Sequence, residues 1–98
     1  MRVELSRFIE WDLLDIGDYI ARHNPTRALS FVEELEREIH RIGDNPLVYQ
    51  LRPDAGPDAR AAVYGRYLIL FRIVNEVVYV ERVVSGYRDL AKLHESPG

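Results

Sequence analysis

Apolar residues recur at Ile9, Leu13, Ile16 and Ile20, spacings of four, three and four that align them on one face of a helix. The pattern predicts a helix over residues 8–22, with Asp12, Asp15 and Asp18 facing away from the stripe. His23-Asn24-Pro25 punctuates it, Asn24 being a favourable N-cap and Pro25 a residue tolerated in a first helical turn. Ala28, Phe31, Leu35, Ile39 and Ile42 then carry the stripe of a second helix, which Gly43 and Pro46 are expected to close. Two amphipathic helices joined by so short a connection form an antiparallel hairpin.

Beyond a Pro/Gly-containing loop at 46–57, the period changes to two and β-branched and aromatic residues dominate. Three runs, 59–64, 66–74 and 77–85, are separated by Gly65 and by Asn75-Glu76, which suits hairpin turns and predicts an antiparallel meander. Residues 2–5 are a candidate fourth strand. The expected fold is α+β in the order β-α-α-β-β-β, with the helical hairpin on one face of a mostly antiparallel sheet. The run 67–71 is apolar at every position, so both of its faces want cover. The hairpin supplies one face, and residues 86–98 are too few to shield the other, which predicts an open apolar patch for a protein partner.

Composition narrows the setting. Ninety-eight residues with 47% hydrophobic and 30% charged positions predict one folded domain over 1–98. Cysteine is absent, so no disulfide framework is expected and a reducing cytoplasm fits. Charges at Arg2, Glu4 and Arg7 interrupt any leader-like start, and the most apolar stretch, 67–84, is broken by Arg72, Glu76, Glu81 and Arg82, so no membrane span is expected. Residues 1–45 hold six Arg against ten acids and residues 46–98 hold seven Lys plus Arg against six. That balance lacks the strongly basic signature of a nucleic-acid binder, and no direct nucleic-acid binding is expected.

Candidate chemistry is sparse. The scattered His23, His40 and His94 make no ligand set, and the interleaved acids and arginines of 33–41 read as a solvated helix face. Serine nucleophile motifs, phosphate loops and dinucleotide fingerprints are missing from the sequence, so neither a metal nor an organic cofactor is expected. What remains is a set of arginines, Arg60, Arg66, Arg72, Arg82 and Arg88, interleaved with Tyr64, Tyr67, Tyr79 and Tyr87. Arginine with tyrosine is the composition of interface hot spots and also of sites that grip single-stranded RNA, while pairing with Glu81 or Asp89 is the structural alternative.

Several strings, taken in order, resemble one family. Asp12-Leu13-x-x-Ile16-x-x-Tyr19-Ile20, Asn24-Pro25-x-x-Ala28-x-x-Phe31 and Asn45-Pro46, then Arg60, Gly65-x-Tyr67-x-Ile69-x-Phe71-Arg72 and the ending 82–90 are similar to the ParE branch of the ParE/RelE toxin superfamily. Phe8 stands where a small alanine is usual, and Ser85 where many relatives have histidine. The resemblance implies the toxin of a type II toxin–antitoxin pair, neutralised by a cognate ParD-like antitoxin, with Arg60, Tyr67, Arg82, Tyr87 and Arg88 as the expected antitoxin- or target-binding residues. It implies DNA gyrase as the target. The alternatives are a RelE-like ribosome-dependent mRNA endonuclease and a decayed toxin that only binds its antitoxin. One lysine, Lys92, and a tail offering only His94 leave little acid–base chemistry for cutting RNA, because arginine is a poor proton shuttle. A protein-binding inhibitor is therefore the expected activity.

Overall fold

The computed structural model describes residues 1–86. Strand β1 (Arg2–Leu5) leads into helix α1 (Ile9–Ala21) and helix α2 (Pro25–Arg41), and two short 3-10 turns follow. The chain then forms β2 (Gln50–Leu51), β3 (Arg60–Tyr64), β4 (Tyr67–Val74) and β5 (Val77–Ser85). The five strands form one sheet in the order β1-β5-β4-β3-β2. Strand β1 runs parallel to β5 and every other pairing is antiparallel. The α+β reading and its element order are thus observed, with β2 as an addition inside the loop.

Local chemistry explains the boundaries. The side chain of Asn24 accepts a hydrogen bond from the Arg27 amide at 3.1 Å, satisfying one of the open donors at the start of α2, and Pro25 occupies the first turn. The β4–β5 turn places Asn75 and Glu76 both at positive φ, 50° and 63°, the pattern of a type I′ turn. Glu76 holds that conformation without the freedom of glycine. Gly43 differs from its expected role. Helix α2 passes directly into a 3-10 turn there, and a Cβ on Gly43 would lie 2.6 Å from the Met1 carbonyl oxygen and 2.7 Å from Val3 Cγ2. Its lack of a side chain lets β1 pack against the end of the hairpin.

The helices cover one face of the sheet. Ile9 and Ile16 of α1 and Leu35 and Ile39 of α2 meet Ile69, Phe71, Val78, Val80 and Val83 in the core. The opposite face is not left open as expected. Ala61, Leu68, Leu70 and Val84 are all buried there, and Ala55, from the 3-10 turn before β3, packs on them. The loop folds back because the Arg52 amide donates to the Ala59 carbonyl at 2.7 Å, continuing the β2–β3 ladder. Val63, Val74 and Tyr79 on that face remain exposed.

Candidate functional site

The arginine and tyrosine residues singled out in the sequence do not gather into one patch among the described residues. Tyr67 lies in the core at 9% exposure, its ring 5.6 Å from that of Phe31. Arg60 is half-buried and donates from Nη1 to the Tyr49 carbonyl at 2.6 Å, fastening the loop to β3. Arg72 is paired with Glu81 across the turn at 2.9 Å. Tyr64 donates its hydroxyl to Glu34, which Arg27 also holds, from Nη2 at 3.1 Å. These bonds hold the Glu34 carboxyl down at about 2, Arg27 being the first cause and Tyr64 the second. Tyr87, Arg88 and His94 lie outside the described residues.

Arg82 is positioned by Asp12, a residue expected to face away from the apolar stripe. Asp12 is 7% exposed. Its carboxylate accepts from Arg82 Nε and Nη2 and from the Val83 amide, all at 2.9 Å. The cause lies in the sheet. Strand β1 ends opposite Val80, where the Ser6 amide donates to the Val80 carbonyl at 2.9 Å and the chain turns into α1. Beyond that point β5 has lost its neighbour, so the Val83 amide would be a buried orphan. Asp12 replaces the missing strand. A register shift between Leu70 and Phe71 leaves Glu81 without a partner in β4, as a β-bulge does, and the Glu81 carbonyl accepts from the Ser6 hydroxyl at 2.6 Å. The Phe8 ring then meets two cations, with Arg7 and Arg82 Cζ at 5.0 and 5.3 Å from its centre.

A second region was not singled out from the sequence. Along their outer faces α1 and α2 enclose an open groove of about 480 Å³. Its floor is made by Leu13, Gly17, Ala28 and Val32, and its walls by Leu14 and Leu29, which are 53% and 68% exposed. A Cβ at Gly17 would sit 3.3 Å from Val32 Cγ2, so glycine permits the helices to approach closely at the groove's base. The sequence signal was a second apolar stripe, Leu13, Leu14 and Gly17 facing Ala28, Leu29 and Val32, masked by the stronger core stripe on the same helices.

Neither region carries a metal-binding constellation among the described residues. No helix among them is long and apolar enough to cross a membrane. The described surface offers apolar shape, arginine, aromatic faces and charge.

Residues 3–90 match the family model described as "ParE toxin of type II toxin-antitoxin system, parDE". A search of curated proteins gives no match. Among solved structures, the chain is similar to one described as a chromosomal ParDE TA system from P. aeruginosa. That likeness has a TM-score of 0.76 at 19% identity and covers 88% of this chain and 96% of the other, a likeness of fold.

Proposed function

Since the chain belongs to the ParE toxin family of type II toxin–antitoxin systems, we propose that it is neutralised in the cytoplasm by a cognate ParD-like antitoxin and that, when free, it inhibits DNA gyrase by binding it. The observation that carries the non-enzymatic reading is the engagement of the sheet arginines. Arg60 serves a backbone carbonyl, Arg72 serves Glu81 and Arg82 serves Asp12. Groups so engaged position structure and present charge, whereas RNA cleavage needs a proton acceptor and a proton donor beside the scissile phosphate. His23 and His40 are exposed on the helical hairpin, whereas those arginines lie on the sheet.

The contact residues of the proposal are Arg60 and Arg82 among the described residues, with Tyr87 and Arg88 added on the resemblance alone. Tyr67 contributes from beneath, by supporting Phe31 and the hairpin. An antitoxin segment covering the exposed apolar walls of the hairpin would neutralise the toxin by occupying its surface.

A purified gyrase assay tests the target. Inhibition of supercoiling or accumulation of cleaved DNA is expected, and Arg88→Ala should weaken that effect by about 1–3 kcal/mol, the range of a hot-spot arginine. Ribosome-dependent cleavage of messenger RNA, with gyrase untouched at the same concentration, would instead establish the endonuclease reading. A protein that arrests nothing on expression yet binds the neighbouring gene product would be the decayed toxin.

A further inference from the structure

The start of helix α1 collects positive charge against the preference of the helix itself. Arg7 and Arg82 Cζ stand 5.0 and 5.3 Å from the centre of the Phe8 ring, which is 43% exposed. The two guanidinium carbons are therefore within about 10 Å of each other, one Debye length at about 0.1 M salt, and the charges repel. The macrodipole of α1 also opposes cations at its N-terminal end. Asp12 answers Arg82 through two bonds of 2.9 Å, whereas Arg7 is ion-paired with no acid among the described residues. Neighbouring acids are engaged elsewhere, Glu4 with Arg2 and Glu81 with Arg72, and Glu10 lines the groove between the helices. Trp11, 68% exposed, follows Phe8 by three residues, the spacing of neighbours on a helix face, and neither aromatic lines that groove.

From these contacts we infer that Arg7, Phe8, Trp11 and Arg82 form a site for a carboxylate-bearing segment of the toxin's protein target. The inference rests on the toxin reading and places the target contact at the N-terminal end of α1. An aspartate or glutamate side chain of the target would supply the charge that Arg7 lacks, and an apolar neighbour of that residue would rest on the two exposed rings. Arginine and tryptophan held together by a fold are the composition of an interface hot spot. Because Asp12 holds the Arg82 guanidinium before any partner arrives, less side-chain freedom is lost on binding. A nucleic acid suits the site less well. Two cations meet few phosphates, and Asp15 and Asp18, further along α1 in a chain of net charge −3, would repel a strand running past them.

The test measures binding of the full chain to purified gyrase across a range of salt, together with growth arrest on expression and affinity for the antitoxin encoded beside the gene. Arg7→Glu and Phe8→Ala should each weaken gyrase binding at least about tenfold, and Phe8→Tyr, which keeps a ring, should recover most of that loss. Binding by Arg7→Gln should depend less on ionic strength than binding by the wild type. Melting temperature and antitoxin affinity should stay unchanged in all four variants, which separates a contact from a structural role. Gyrase binding and growth arrest unaltered in Arg7→Glu and Phe8→Ala would overturn the inference and leave the toxin reading standing. So would losses seen only where melting temperature also falls. A wild-type chain that arrests growth without binding gyrase or cleaving messenger RNA, and loses the arrest in both variants, would keep the site and move it to another protein target. Binding of a single-stranded DNA oligonucleotide, or cleavage of messenger RNA, that Arg7→Gln abolishes would assign the site to phosphate and overturn the inference. A wild-type chain that neither binds gyrase nor arrests growth would overturn both readings.

Discussion

The two sides of helix α1 use the same residue types for opposite ends. On the inner side Asp12 spends its carboxylate on three donors, closing an edge of the sheet and orienting Arg82. On the outer side Glu10 and Asp18 border apolar side chains and have no cation of their own among the described residues. A buried charge is retained only when its partners are fixed, so the inner pair is part of the fold. An exposed charge beside exposed leucines contributes little to stability, which leaves that surface available for recognition.

Helix α2 permits the sharpest test of this division, because Leu35 is 0% and Leu29 68% exposed. Leu35→Ala should lower stability by about 2–5 kcal/mol through the cavity it leaves, whereas Leu29→Ala should change it by about 0.5 kcal/mol or less. Denaturant unfolding measures both, and similar losses would erase the distinction between a structural inside and a recognition outside.

Next in size is Asp12→Ala, which strands the Val83 amide and removes the two-point acceptor of Arg82. The loss should be about 2–4 kcal/mol, toward the low end for a buried pair because Arg82 is 34% exposed. Asp12→Asn keeps an acceptor for Val83 and should lose roughly half as much. A neutral Asp12→Ala would mean that the sheet edge does not depend on the carboxylate.

Glu76 serves as a control remote from both regions. At φ 63° it occupies a conformation that costs a non-glycine residue about 1 kcal/mol, so Glu76→Gly should raise the unfolding free energy by up to that amount. Destabilisation on that substitution would show that the turn is held by the glutamate side chain.

The smallest effect concerns Glu34 and Glu36, two residues apart on α2. Glu34 is bound by Arg27 and Tyr64 and its carboxyl is depressed from 4.5 to about 2, whereas Glu36 lines the groove. A carboxyl depressed on folding contributes stability above its unfolded value and loses it as pH falls through the folded one. Glu34 should therefore contribute fully above about pH 4.5 and progressively less down to about pH 2, and Glu34→Gln should reduce the pH dependence of thermal unfolding in that window. An unchanged pH profile in Glu34→Gln would show that the exposed network is inert.

Where a residue's neighbours along the chain decide its state, the pattern was readable. The 3.6-residue stripes located both helices, Asn24-Pro25 located the start of α2, and Asn75-Glu76 located the β4–β5 turn. Strand β2 escaped because two residues, Gln50 and Leu51, are too few to display a period and sit amid prolines. Asp12 was misplaced although it lies three residues after Ile9 and four before Ile16, spacings that put it on the inner stripe. Its charge argued for solvent, and no local rule announces a partner seventy residues away.

Sequence alone determined the two helices and the four longer strands, their order and the family they belong to, because periodicity, caps and turn residues act over a few positions and their succession is itself distinctive. Tertiary structure decided that β1 joins β5 in parallel, that Ala55 of the loop before β3 packs on the second sheet face, and that Asp12 meets Arg82. It also decided that the arginines and tyrosines of the sheet are dispersed while the apolar groove lies on the helices. Each of those outcomes depends on which open backbone groups and apolar faces meet after the chain has folded back on itself, and such encounters carry no period.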